Sequence, residues 1–103
     1  MDYDLNPGVG FQLEEVRLHL GAAGGASENF AVTLESNASS GDNEYNVVLV
    51  AEDMETVTDY VYQPDRPHSF AKNDVLNFSY TNTNDKQWGL EIIFSGTSFR
   101  GGD

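Results

Sequence analysis

The chain has 103 residues and a mass of 11.3 kDa, which is enough for one domain with a single core. Seventeen Asp and Glu stand against five Lys and Arg, so the net charge of −12 disfavours binding to nucleic acid or to an anionic membrane. The absence of cysteine excludes disulfide bonds, thiolate metal sites and cysteine nucleophiles.

Apolar and polar residues alternate along most of the chain, and this period of two predicts strands rather than helices. The first strand is expected from Phe11 to Leu20, with a bulge at Glu14 and Glu15, because the apolar phase shifts there by one residue. Residues 29–35 alternate most regularly, which is typical of a half-buried antiparallel strand. A long polar connection follows over residues 36–44.

The next two predicted strands carry unusual apolar patterns. Residues 45–51 contain four consecutive apolar side chains at Val47–Val50, so this strand is expected to be buried on both sides or covered by a partner. Residues 56–62 alternate, with two valines on the inward face, and with Tyr60 and Tyr62 on the opposite face. An aromatic outer face is common at protein contacts, so these two tyrosines are predicted to bind a partner.

Two prolines divide the second half of the chain. Pro64 and Pro67 cannot donate to a strand ladder, and they predict a corner between sheets or a sheet edge. A short strand is expected at residues 68–70. Strands at 75–80 and 88–94 flank a polar loop and are predicted to form a hairpin.

Together these elements indicate an all-β fold, a single antiparallel β-sandwich of about seven or eight short strands. The bulge, the proline corner and the long connections favour a jelly-roll-like arrangement over a simple meander. We expect three parts: an extended N-terminal arm over residues 1–10, the sandwich over 11–94 and a C-terminal tail over 95–103. The expected core residues are Phe30, Val32, Leu34, Leu49, Phe78, Leu90 and Ile92.

The predicted arm is polar and glycine-rich, but it contains spaced apolar residues. Tyr3, Leu5 and Val9 are what an extended segment needs to bind a neighbouring sheet or groove, so we predict that they contact a partner. The acidic residues around them imply a basic or neutral docking surface.

No catalytic arrangement is predicted, because His19 and His68 are the only histidines and no serine lies in a nucleophile-elbow motif. We expect no enzyme activity, no cofactor and no metal site. The one candidate for calcium is the loop that contains Asn82, Asn84 and Asp85, whose alternative interpretation is an ordinary solvated turn.

A sugar-binding interpretation remains open, because Trp88 could join the two tyrosines of residues 56–62 in an aromatic platform. Packing in the core or at a subunit interface is the favoured role for all three aromatic side chains.

Several segments together resemble a group of small proteins encoded among the structural genes of tailed bacteriophages. The similarity extends over about residues 11–94. The segments are VRLHL at 16–20, ENFAVTLES at 28–36, YNVVLVAEDM at 45–54, TVTDYVYQPDRP at 56–67, NDVLNFSYTNTND at 73–85 and WGLEIIF at 88–94.

The resemblance implies a non-enzymatic virion protein, for which we favour a capsid decoration or cement protein that stabilises the head from outside. A tail fibre, adaptor or baseplate component is the alternative within the virion, and a carbohydrate-binding module is the alternative from another class. The expected partners are the major capsid protein or other virion proteins and further copies of the chain, with a trimer favoured. No export signal or membrane span is evident, so synthesis in the host cytoplasm and assembly into the virion are expected.

Overall fold

The computed structural model describes residues 1–36, 45–66 and 68–96, and every regular element in them is a strand. The all-β prediction is therefore confirmed. Most of the connection predicted over 36–44, Pro67, and residues 97–103 of the predicted tail lie outside the described residues. The strands are β1 (Asp2–Leu5), β2 (Phe11–Leu20), β3 (Asn29–Ser36), β4 (Tyr45–Asp53), β5 (Asp59–Tyr62), β6 (His68–Phe70), β7 (Val75–Ser79) and β8 (Trp88–Gly96).

Two antiparallel sheets form a β-sandwich. Sheet A has the order β1-β7-β3-β4. In sheet B, β2 is the central strand; β8 pairs along one of its edges, and β5 and β6 share the other edge in succession. The chain crosses between the sheets at every connection except β3–β4 and β5–β6.

The core lies between the inward faces of the two sheets. Phe30, Val32 and Phe78 of sheet A are fully buried, as predicted, and they face the buried leucines of β2. The other predicted core residues are only partly buried, and most of them lie on edge strands, where one flank has no neighbouring strand to cover it. These partly buried residues are Leu34, Leu49, Leu90 and Ile92.

The predicted bulge in the first strand is confirmed. Leu13 pairs with Phe94 and Glu15 pairs with Ile93, so Glu14 is an extra residue in β2 relative to β8. Because of the bulge, the apolar residues before and after Glu14 all point to the inward face. Leu13 and Val16, on either side of it, are both fully buried.

The predicted hairpin at the end of the chain is wrong. Strand β7 lies in sheet A between β1 and β3, whereas β8 lies in sheet B beside β2. The polar loop over residues 80–87 therefore crosses the sandwich instead of turning within one sheet. The proline segment, by contrast, lies at a sheet edge, because β5 and β6 pair with the same edge of β2 on either side of Pro64.

The N-terminal segment also differs from its prediction as an arm. Residues 2–5 form β1, an edge strand of sheet A in which Tyr3 pairs with Phe78 and Leu5 with Leu76. The terminal amino group of Met1 donates a hydrogen bond to the carbonyl oxygen of Tyr80 at 2.8 Å. The sandwich therefore begins at the first strand of the chain and not at Phe11.

Candidate interaction surface

An apolar groove opens along one side of the sandwich, between the edge strand of sheet A and the edge strand of sheet B. Strand β1 pairs only with β7, and β8 pairs only with β2 among the described strands. The groove has a volume of about 310 Å³, and all the side chains that line it are apolar or aromatic. They are Tyr3, Leu5, Trp88, Leu90, Ile92 and Phe94, and we call this feature the β1–β8 groove.

Strand β8 forms one wall of the groove because its even-numbered residues share the inward face with the core residues of β2. Leu90 pairs with Leu18, and Ile92 pairs with Val16. Since no strand in the described chain covers the outer edge of β8, its inward side chains stay accessible from the side. Trp88 is 48% exposed and Phe94 is 39% exposed, although both lie on the face that points toward the core.

Strand β1 forms the other wall. Tyr3 packs against Phe78, with ring centroids 6.4 Å apart, and remains 47% exposed at the mouth of the groove. Leu5 lies deeper and is 6% exposed, so it belongs to the core rather than to a free binding segment. Of the three partner-binding residues predicted near the N-terminus, Tyr3 therefore lines the groove, and Leu5 closes its floor.

The third predicted residue, Val9, lies at the far end of the same surface. Its Cγ2 atom is near Gly96, the last residue of β8, and its side chain is 48% exposed. The turn that carries it is fixed by Asn6, whose Oδ1 accepts a hydrogen bond from the Gly8 amide at 3.1 Å. Tyr3 and Val9 are thus brought to one side of the sandwich, as accessible apolar groups.

The outer face of β1 is acidic and internally bonded. The side-chain amide of Asn77 donates to Asp2 at 2.5 Å and to Asp4 at 2.8 Å. Both carboxylates lie on the face opposite Tyr3 and Leu5, because residues alternate along the strand. The groove is therefore lined by apolar and aromatic side chains, and the acidic groups of β1 face away from it.

The structure corrects the predicted orientation of Tyr60 and Tyr62. Both point inward and pack against the core, and Val61 is the outward residue, 53% exposed. Tyr60 makes an edge-to-face contact with Phe30 at 6.3 Å. The hydroxyl of Tyr62 is hydrogen-bonded to Nε2 of His68 at 2.8 Å. Burial raises the pKa of both tyrosines. Because both pack against the core, neither faces outward as predicted, and their binding to a partner stays a prediction.

The outer face of sheet B carries a contact between His19 and Asp59. Nδ1 of His19 lies 2.5 Å from Asp59, and the Thr58 hydroxyl donates to the same carboxylate at 3.0 Å. The hydrogen bond with His19, followed by that from Thr58, holds the pKa of Asp59 below its ordinary value. Both side chains are more than half exposed, so solvent screens the interaction, and the geometry is that of a surface hydrogen bond.

The predicted calcium residues hold their own loop together. Asn82 accepts a hydrogen bond from the Lys86 amide and donates one to the Lys86 carbonyl. Asn84 donates to the Gly24 carbonyl at 2.9 Å, and Asp85 contributes its amide to the Asn82 carbonyl. No group of three or more histidine and acidic residues placed to hold a metal is found in the described part of the chain.

Strand β4 exposes apolar side chains at the opposite edge of sheet A. Val48 is 60% exposed, and Tyr45 and Val47 are also exposed. The prediction that this run needs a covering partner remains open, because the neighbouring residues 37–44 lie outside the described chain.

Within residues 1–36, 45–66 and 68–96, no helix is long and apolar enough to cross a membrane. Comparison with protein-family models, with curated proteins and with solved structures found no match to this chain.

Proposed function

We propose that this chain is a non-enzymatic structural protein of a tailed-bacteriophage virion, and that it acts as a decoration or cement protein on the outer surface of the capsid. The β1–β8 groove is the observation that carries the proposal. It presents six apolar side chains between two strand edges, and such a surface is suited to a protein partner.

The chemistry of the groove favours protein over the other ligand classes. An extended chain could pair with the free edge of β8 and place alternate side chains into the groove. A sugar needs polar groups to fix its hydroxyls, and the lining side chains offer only the Tyr3 hydroxyl and the Trp88 indole N–H. The net charge of −12 repels phosphate-rich partners.

The carbohydrate-binding alternative is also weakened by where its aromatic residues lie. Trp88 is on β8, whereas Tyr60 and Tyr62 are on β5, across the central strand β2. All three point to the inward face of sheet B, so they form no shared platform on the outer surface. This arrangement favours a subunit contact for Trp88 over a sugar platform.

The proposed partners are the major capsid protein, other virion proteins and further copies of the chain. The proposed location is the virion, after synthesis in the host cytoplasm. A tail fibre, adaptor or baseplate role would use the same groove with a different partner.

The test is the composition of purified virions. Peptides of this chain are quantified by mass spectrometry against the major capsid protein in gradient-purified particles of the phage that encodes it. We expect a fixed ratio that matches the symmetry of the capsid lattice. A few copies in each particle would indicate the tail alternative, and absence from washed particles would refute the virion proposal.

A matched pair of variants then tests the groove. Trp88→Ser removes an aromatic side chain from the groove, and Val61→Ser removes an apolar side chain of similar exposure from the outer face of sheet B. Purified protein is added back to heads that lack it. We expect Trp88→Ser to weaken retention and Val61→Ser to leave it unchanged; equal retention of both variants would contradict a role for the groove.

A further inference from the structure

We infer that the β1–β8 groove is occupied by a second copy of this chain, through antiparallel pairing of β8 with β8 about a two-fold axis at Ile92. The inference rests on the proposed function, because it names the partner of the same site. The described residues leave four strand edges open: β1 and β4 in sheet A, and β8 and the edge shared by β5 and β6 in sheet B.

Three of the four open edges are unsuited to pairing with a copy. Two copies of β1 could pair antiparallel with Tyr3 on the same face in both. This pairing would place Asp2 or Asp4 directly opposite an aspartate of the other copy, which is destabilising. In β4, the register shifts against β3 between Val32 and Thr33, and such an irregularity twists an edge away from further pairing. The edge formed by β5 and β6 consists of two short strands that are interrupted at Pro64.

Strand β8 is long and regular, and it carries a single charge. It has nine residues, and the extra residue of its pairing with β2 lies in β2, so β8 itself is not bulged. Its one charged residue is Glu91. Ile93 is 42% exposed on the outward face, and Phe94 is partly exposed in the groove, so each face of the strand presents an accessible apolar side chain. A strand of this kind is a pairing surface unless something covers it.

The register follows from charge and length. Centred on Ile92, the pairing joins all nine residues of each strand, from Trp88 opposite Gly96 through Ile92 opposite itself. Leu90 then faces Phe94 of the second copy along the groove. Glu91 faces Ile93 of the second copy, and the register that would place the two Glu91 carboxylates opposite one another is avoided. A two-fold pair of this type uses both β8 edges and closes, so it does not extend into a fibre. The inferred assembly is therefore a dimer, in place of the trimer that the sequence analysis favours.

A charge exchange at one exposed position tests the pairing. Ile93→Glu places a carboxylate opposite Glu91 of the second copy at two symmetric sites, whereas Ile93→Lys places an ammonium group there. We expect the dissociation constant of the dimer, measured by sedimentation equilibrium, to rise by about tenfold or more for Ile93→Glu and to stay within about threefold of wild type for Ile93→Lys. Val61→Glu, which adds the same charge to the outer face of sheet B away from β8, should dimerise as wild type does. Because Ile93 also pairs with Glu15 within the chain, urea unfolding of each variant checks that the fold is retained.

Single cysteines test the register, since the chain has none of its own. Ile92→Cys should form an intermolecular disulfide under mild oxidation, because antiparallel partners have Cα atoms about 4.5–5.5 Å apart. Glu91→Cys alone and Ile93→Cys alone should not, because their copies lie about 8 Å apart, but a mixture of these two variants should cross-link.

A wild-type chain that stays monomeric at all concentrations would overturn the inference. A dimer whose dissociation constant is unchanged by Ile93→Glu, and in which Ile92→Cys forms no intermolecular disulfide, would overturn it as well. Occupation of the groove by a capsid protein or by residues 97–103 would give the monomeric result. Neither result refutes the virion proposal, which is decided by the presence of the chain in purified particles.

Discussion

The substitution Gly24→Ala tests how closely the loop between β2 and β3 packs on the core. A Cβ atom at this position would lie 2.5 Å from the hydroxyl of Tyr80 and 2.7 Å from the carbonyl oxygen of Met54. Both neighbours are buried, and the Gly24 amide donates a hydrogen bond to that same carbonyl at 2.9 Å. Relief of the clash by a backbone shift therefore weakens a hydrogen bond as well.

The expected cost combines two effects. Overpacking of a core contact costs about 1–3 kcal/mol, and the weakened hydrogen bond adds about 1 kcal/mol. We expect Gly24→Ala to lower the free energy of unfolding by about 2–4 kcal/mol, measured by urea titration with far-ultraviolet circular dichroism. Gly89→Ala is the control, because nothing lies within 4 Å of its added Cβ atom, and its effect should stay within about 0.5 kcal/mol.

A double-mutant cycle with Tyr80→Phe assigns the cause. The Tyr80 hydroxyl is the buried side-chain polar atom for which the described chain offers no hydrogen-bond partner. Its removal should stabilise the protein by about 1 kcal/mol, and by more in the Gly24→Ala background, where it also removes one of the two clashes. If Gly24→Ala is as stable as wild type, or if the two effects simply add, the close packing described here is wrong.

Three further predictions concern β1, the surface contact between His19 and Asp59, and the calcium candidate. Leu5→Ala should lower the free energy of unfolding by about 2–3 kcal/mol, and exposed Tyr3→Ala by less than about 1 kcal/mol; equally small losses in urea titrations would mean that β1 is not part of the fold. The hydrogen bond with His19 lowers the pKa of Asp59, so the stability from this carboxylate is present above pH 3.8 and is lost as the pH falls through its folded pKa. Asp59→Asn should therefore make the melting temperature fall less steeply as the pH is lowered in a series of thermal melts. A pH profile identical to that of wild type would contradict this role of Asp59. Calcium at about 1 mM should leave the melting temperature unchanged, whereas a rise abolished by Asp85→Asn would establish a site.

The sequence predicted those parts of the fold that depend on local pattern. The bulge in β2 is visible from the change of apolar phase at Glu14, and β3 from its regular alternation. The orientation of β5 was predicted wrongly, because this strand has only four residues and its apolar residues occupy both faces, so periodicity could not separate Tyr60 from Val61. Burial against Phe30 decides between the two faces, and that contact comes from the other sheet.

The candidate site was only partly predictable for a related reason. Tyr3 and Val9 were selected as apolar residues in a polar segment, and they do lie on the groove side of the sandwich. The alternation of residues 88–94 predicts strand β8, but the polar loop before it predicts pairing with β7, which the sheet order contradicts. The groove exists because β8 pairs with β2 instead, so it follows from the sheet order and from no local pattern.

Strands from opposite ends of the described chain are hydrogen-bonded neighbours, since β1 pairs with β7 and β2 pairs with β8. During synthesis, β1 and β2 leave the ribosome first and remain without these neighbours until nearly the whole chain has been made. Among the described strands, only β3 and β4 are both consecutive and paired. Folding should therefore be mostly post-translational and slow for the size of the chain. A nascent chain that stops before Trp88 lacks β8, so one edge of β2 has no neighbouring strand and the apolar face of β2 is less covered. Such a chain would be a substrate for chaperones and proteases.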